Sequence, residues 1–343
     1  MTEQMHQVHQ VIKKEIENHN IYGASYSLIT PKEIENHNIY GASYSLITPK
    51  EIENRYEGVQ GEGPSAVLLD PSMIYDLSTM TEVVATTTRI FQLLAIREIG
   101  LKDPVTKYLP GFSNRDITIL HLLTHTSGLP VTVNKSKHFT GIEFTNALYS
   151  VGLDFKPGEK MQVSPLNFVV LGIIIRTVDG SIDRAVQDRI LYPLAMTNTG
   201  FNLNRPKARF VPTRKDAKRG QIQGQVEDQL GLLLNGESGY TGLFSTLNDL
   251  TVFVEMMLNR GNYQGKEVLD PQLFDTMEKF NIDGQSLGWS RFSANADVFY
   301  GSSPTGVIAF NVKKKQGMVV LHNFVENNQV HAKMLTGLLK VIQ

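Results

Sequence analysis

The hydrophobic period of this chain changes several times, and each change marks an element. Val83 to Ile99 carries apolar residues at helical spacing and stops at Gly100, a residue suited to the left-handed position that closes a helix. "ITILHLLTHTSGLP" reads as a second helix, closed by Ser127-Gly128 ahead of Pro130. A third runs from near Pro165 to Val178 and ends at Asp179-Gly180, followed by "SIDRAVQDRILYPLAM", a helix with one apolar stripe. "STLNDLTVFVEMMLNRG" begins at a Ser245 or Thr246 cap and stops at Gly261. Beyond it, "VIAFNV" and "GMVVLHNF" are strands joined by the turn "KKKQG", and a last helix spans about Asn328 to Ile342. "LKDPVTKYLPGF" is a proline-punctuated loop, and Asn202 to Gln229 is a polar surface loop. Strands near both ends with helices between them predict an α+β sheet domain interrupted by a helical insertion.

The N-terminal strand signal occurs twice. "EIENHNIYGASYSLITPK" fills Glu15 to Lys32 and recurs unchanged from Glu33 to Lys50, with a third "EIEN" at Glu51 to Asn54. Two identical copies indicate a recent tandem duplication, natural or engineered, and not a solenoid, whose repeats diverge and number three or more. Each copy holds a strand-like "YGASYSLIT", and a sheet has one place for it. Sequence identity leaves open which copy takes that place.

Composition excludes several classes. The 343 residues are enough for a large core, and the net charge of -1 offers no electrostatic partner for nucleic acid or an anionic membrane. The chain contains no cysteine, which removes disulfides, thiolate chemistry and Cys-based zinc sites. The longest apolar run, Phe168 to Ile175, is too short to span a bilayer, and the polar N-terminus shows no signal-peptide core, so a cytoplasmic location is expected. No phosphate-binding loop or dinucleotide fingerprint is present, and no cofactor is expected. His121 and His125 share a spacing of four, but "HLLTH" has leucine where a zinc hydrolase needs glutamate, so no metal is expected. His19 and His37 lie in polar surroundings and read as surface residues, "TRKDAKRG" and "KKKQG" as solvated basic turns, and Trp289 as packing.

The chemistry turns on "DLSTMTEVVATTT", Asp76 to Thr88, where Thr79 precedes Glu82 by three residues at a predicted helix start. That spacing is shared by capping boxes and by hydroxyl nucleophiles with a base one turn away. "LKDPVTKYLPGF" with "ITILHLLTHTSGLP", then "PGEK", "LGIIIRTVDG", "ILYPLAMTNTGF" and "GLFSTLNDLTVFVEMMLNRG", resembles the serine β-lactamase-like family. That family includes class C β-lactamases, low-molecular-weight penicillin-binding proteins and related esterases. The resemblance runs from about residue 20 to the end and keeps the motif order. It implies a β-lactamase/transpeptidase-like α+β domain over 1–343, with an antiparallel sheet flanked by helices and a mostly helical subdomain. The α/β part would cover about 1–115 and 236–343, the subdomain about 116–235, with the active cleft between them.

The resemblance also implies three catalytic elements, and all three are altered. In place of Ser-x-x-Lys stand Thr79 and Glu82; in place of Tyr-x-Asn, Val163 and Pro165; in place of Lys/His-Thr-Gly, Phe299-Tyr300-Gly301, which keeps only Gly301. A threonine still needs a base, an ordinary glutamate is poorly matched to an alcohol, and valine carries no proton. Acid–base groups contribute about 10²–10⁴-fold each and act as a unit, so losing the set should remove the family's hydrolysis. Thr79-x-x-Glu82 is complete as a capping box and incomplete as a catalyst, so a cap is expected there. Shifting the nucleophile to Ser78 places Thr81 at the base position and rescues nothing. The expected function is a pseudoenzyme binding a small molecule or peptide in a cleft made more apolar by Val163, Pro165 and Phe299. The alternative is a divergent esterase, amidase or D,D-peptidase-like hydrolase using Thr79 or Ser78.

Overall fold

The computed structural model describes residues 3–17, 41–61, 66–133, 139–293, 295–323 and 328–343. Nine strands matter here: β1 Gly41–Ile47, β2 Ile52–Gly58, β3 Tyr75–Asp76, β4 Gly200–Phe201, β5 Leu243–Ser245, β6 Ser290–Phe292, β7 Asn295–Ser303, β8 Gly306–Asn311 and β9 Gln316–His322. The helices are α1 Glu3–Glu17, α2 Thr88–Ala95, α3 Ile119–Leu123, α4 Gly141–Tyr149, α5 Pro165–Asp179, α6 Ile182–Val186, α7 Gln229–Leu233, α8 Leu247–Leu258, α9 Gln272–Lys279 and α10 Asn328–Leu339.

Six strands form an antiparallel sheet in the order β6-β7-β8-β9-β1-β2. Alternation along β1 sorts the two faces: Ala42, Tyr44 and Leu46 join Met5, Val8 and Ile12 of α1 and Met334 and Leu338 of α10 in one apolar layer. The opposite face, with Ile308, Phe310, Val319 and Leu321, joins the larger core built with α5 and α8. β3, β5 and β4 form a second, three-stranded sheet, with β5 in the middle. The predicted α+β architecture is therefore present.

The second copy of the repeat supplies β1, wholly buried between β9 and β2. The strand-like part of the first copy, with His19 and His37, lies outside the described residues. Sequence after each copy gives a physical reason for the choice. Thr48 to Glu51 closes a tight turn into β2, whose Glu57 accepts a hydrogen bond from the buried Tyr44 hydroxyl at 2.7 Å. The position corresponding to Glu57 after the first copy is Ile39, which cannot accept one. Context also overrides local sequence: Glu15–Glu17 close a helix, whereas Ile52–Asn54 of the third "EIEN" open a strand.

Several predicted boundaries move. The stretch from Val83 to Ile99 is not one α-helix: Glu82–Thr87 is π-helical, α2 ends at Ala95, and turns carry the chain to Gly100. "ITILHLLTHTSG" is helical only over Ile119–Leu123. The polar stretch from Asn202 to Gln229 is not wholly on the surface, since Phe210, Val211, Ile222 and Val226 are buried. Among the described residues no single helix is long and apolar enough to cross a membrane; α5 and the segment Ile182–Leu191 pass only together, bent by 82°.

Candidate functional site

The site is built where strand must become helix within two residues. β3 lies against β5, with Asp76 opposite Phe244, and the Leu77 N–H donates to the Leu243 carbonyl at 3.0 Å. The reversal falls on Ser78, whose φ of +48° is in the left-handed region that non-glycine residues occupy at a cost. Asp76 holds the turn. Its carboxylate oxygens accept the Ser78 N–H at 2.8 Å and the Glu227 N–H at 2.9 Å, and its carbonyl accepts the Thr305 hydroxyl at 2.7 Å. Burial pushes the Asp76 carboxyl up to about 7 against the opposing effect of those two N–H donors.

Thr79 sits within a 3₁₀ turn, Ser78–Met80, and its hydroxyl donates to the Ser302 carbonyl on β7 at 3.0 Å. In an antiparallel strand the N–H and C=O of one residue point to the same edge, so the Ser302 N–H lies on the Thr79 side as well. β6 pairs with β7 only as far as Tyr300, which leaves that edge uncovered by a strand at Ser302. The Thr79 N–H belongs to a first helical turn, where the helix provides no acceptor. The Thr79 and Ser302 N–H groups thus fall outside the helical and strand ladders, on the two segments that the Thr79 hydroxyl bridges. The close approach depends on Gly301, where a Cβ would stand 2.6 Å from Val83 Cγ2.

Glu82 opens the π-helical turns and is partly exposed. Its carboxyl takes no hydrogen bond from the described residues, and burial alone pushes it well above the ordinary glutamate value. The Tyr240 phenol stands within its electrostatic reach and shares a hydrogen bond with Asp228; burial, then the nearby acids Asp228, Glu82 and Glu227, push that phenol up. Asp228 is itself raised by burial, although it caps α7 by accepting the Gly231 N–H at 2.8 Å. Glu227 forms an ion pair with Arg214.

The capping box expected at Thr79 is absent. Neither Leu77 nor Thr81, the residues preceding the two helical turns, makes a side-chain cap, and both have helical backbone angles where a cap needs extended ones. The Thr79 hydroxyl crosses to β7 instead. Phe299 also departs from expectation. It is 1% exposed, stacked on Phe310 at 5.6 Å with the Arg291 guanidinium over its ring, so it adds no apolar surface to a cleft. Val163 stands 61% exposed, and Pro165 is the first residue of α5. The structure thus brings Thr79, next to Ser78, against the strand that carries Gly301, sets Val83, the neighbour of Glu82, against Gly301, and sends Phe299 into the core.

His121 and His125 do not form a pair. His121 Nδ1 accepts the Thr118 N–H at 3.2 Å, completing a cap for α3. His125 lies beyond that helix at φ +53°, and its Nδ1 accepts from Asn167 at 3.0 Å and from the Ser164 N–H at 3.4 Å. Burial lowers its pKa to about 4, so it is a neutral scaffold group. Among the described residues no cluster of three or more His, Asp or Glu side chains could hold a metal. Trp289 is core, edge-on to Phe310 at 4.9 Å. Sequence reasoning missed Tyr240, Asp228 and Ser302, which no pattern flags because chain separations of more than 140 residues divide them from Thr79. It passed over Asn167 for a different reason: that residue lies two beyond the altered motif.

A family model described as Beta-lactamase matches residues 18–342, and the chain belongs to that family. A protein named "Putative D-alanyl-D-alanine carboxypeptidase" from Escherichia coli (strain K12) is 28% identical over 270 residues, covering 66% of this chain and 60% of that protein. The chain therefore spans about three-fifths of the length of the curated relatives it matches. Among solved structures, EstCE1, a hydrolase with promiscuous acyltransferase activity, superposes with a TM-score of 0.76 at 16% identity over 99% of this chain and 98% of that one. A β-lactamase/D-alanine carboxypeptidase from Pseudomonas syringae gives 0.73 at 19% identity over 99% of each chain. At those identities the likeness shows the fold.

Proposed function

We propose that this chain keeps the β-lactamase fold without its acyl-transfer chemistry and works by binding. The carrying observation is the Thr79 hydroxyl, whose proton is directed to the Ser302 carbonyl and not to a base. Glu82, the ionisable neighbour one turn on, is pushed toward its neutral form by burial, which opposes its acting as a carboxylate base. Val163 has no proton to exchange, and Phe299 is packed away from the site. What remains suits recognition: the Thr79 and Ser302 N–H groups outside the ladders and a partly exposed carboxyl at Glu82.

The competing reading, a divergent hydrolase, draws on the strained Ser78 turn and the Thr79 and Ser302 N–H groups, features that also serve acyl transfer. Turnover of a p-nitrophenyl ester and labelling by a fluorescent penicillin separate the two. Binding alone predicts background ester hydrolysis and no covalent label. Turnover lost in Thr79→Ala or Ser78→Ala would establish the hydrolase instead.

A further inference from the structure

We propose that the β1 place in the main sheet is open to both copies of the repeat, so that residues 23–29 can replace Gly41–Ile47 within one chain while the other strands stay where they are. The exchange goes beyond the binding reading above and is independent of it. Every contact that holds β1 is made by a residue with an identical counterpart in the first copy. β1 pairs with β9 from Ala42, opposite His322, to Ile47, opposite Gly317. Ala42, Tyr44 and Leu46 fill the layer against α1 and α10, and the Ser43 hydroxyl meets the Tyr75 hydroxyl at 2.7 Å, one residue ahead of Asp76. Ala24, Ser25, Tyr26 and Leu28 bring the same side chains in the same order. Position 41 demands glycine, since a Cβ there would stand 2.5 Å from the Glu57 carbonyl oxygen, and Gly23 meets that demand too. The sheet has no side-chain contact by which to reject the first copy.

What separates the two arrangements is where the excess chain leaves the sheet. In the structure it falls between Glu17 of α1 and Gly41, and β1 turns directly into β2. That turn is the gain of the observed arrangement: the Thr48 N–H donates to the Glu51 carbonyl at 3.0 Å, and the Thr48 hydroxyl accepts the Lys50 and Glu51 N–H groups at 3.3 and 3.2 Å. With residues 23–29 in place, α1 would join the strand through residues 18–22, the connection that a chain with one copy has whichever copy is removed. The excess would then run through residues 30–51 into an unchanged β2, which keeps Glu57 as acceptor for the Tyr26 hydroxyl. Moving the first copy together with its own turn would instead put Ile39 where Glu57 stands. Loop entropy grows slowly with length, so one long connection replaces another at little cost. The net preference is a few turn hydrogen bonds, small beside the burial of a central strand. Damage to the second copy should therefore be absorbed by the first, which the same chain holds at high effective concentration.

The chain has no cysteine, so an introduced disulfide reports which copy is in place. Ser45 lies directly opposite Val319, and opposite residues of an antiparallel pair are close enough to be bridged. Under a mild oxidant, Ser27→Cys/Val319→Cys should give a disulfide between positions 27 and 319 when Leu46→Asp is added and none when Leu28→Asp is added. Ser45→Cys/Val319→Cys should show the reverse. Melting of chains without the cysteines gives a second reading. Leu28→Asp should melt as wild type does, and Leu46→Asp should melt cooperatively no more than about 10 °C lower. Leu28→Asp/Leu46→Asp, which buries a charge whichever strand is used, should lose cooperative melting. Leu46→Asp melting no better than the double variant, or forming no disulfide between positions 27 and 319, would overturn the proposal.

Discussion

Thr79-x-x-Glu82 and Thr140-x-x-Glu143 have the same residue types at the same spacing and opposite outcomes. At the start of α4, Thr140 is extended, the Glu143 N–H donates to its hydroxyl at 3.3 Å, and Glu143 accepts the Thr140 N–H at 2.8 Å. Ahead of the π-helical turns, the chain arrives from β3 already pinned through Asp76 and Leu77, reverses at Ser78, and enters Thr79 in helical conformation. Its hydroxyl goes across the molecule, and Glu82 is left without a donor. A capping motif works only where the backbone before the helix is extended. Where tertiary contacts impose another entry, the same side chains are freed, and a local rule that fails in this way marks a functional or strained site.

The largest expected effect comes from removing what imposes that entry. Asp76→Ala orphans two buried N–H groups and should cost roughly 2–6 kcal/mol in urea unfolding, at about 1–3 kcal/mol each. A loss below about 1 kcal/mol would mean that the turn is held by something else. Next, Gly301→Ala forces a Cβ against Val83 and should cost about 1–3 kcal/mol by calorimetry. Smaller is the contrast between the two threonines. Thr140→Ala should cost about 1 kcal/mol as a lost cap. Thr79→Ala should cost a similar net hydrogen bond of about 0.5–1.5 kcal/mol. Double-mutant cycles tell them apart: about 0.5 kcal/mol of coupling between Thr140 and Glu143 and none between Thr79 and Glu82.

The smallest effect is one of sign. Glu82 binds its proton more tightly folded than unfolded, so its presence erodes stability as pH rises from the unfolded value, about 4.3, through the raised folded one. Glu82→Gln lacks that decline, and its melting temperature should gain on wild type between pH 4.5 and pH 8. Glu143→Gln should instead lose slightly at both, because its carboxylate caps a helix. Asp76 imposes its own decline between about pH 4 and 7 on all these proteins and cancels in the differences.

The α+β class and the motif order were legible because they depend on periodicity and on long stretches of similar sequence. The elements that escaped were set from elsewhere in the molecule. Nothing in "EIEN" says helix at Glu15 and strand at Ile52; α1 and the β1 pairing decide. β6 and the first part of β7 pass through Arg291, Asn295 and Asp297 without clean alternation, and they pair across a register shift. At the site, motif order put Thr79, Glu82 and Gly301 forward, and the Thr79 hydroxyl meets the strand of Gly301 at the Ser302 carbonyl. Phe299 was misread because the size of its side chain, which fills the core beside Phe310, counts for more than the edge position of its strand. Tyr240, which shares a hydrogen bond with Asp228, comes within electrostatic reach of Glu82 only through folding, from a stretch that reads as polar loop and turn.

The most direct measurement is the intact mass of the protein after prolonged exposure to a fluorophosphonate. An unchanged mass, with Thr79→Ala indistinguishable from wild type, is the expected result for a β-lactamase fold that has lost its proton-handling groups. A stoichiometric adduct mapped to Thr79, and absent from Thr79→Ala, would contradict it.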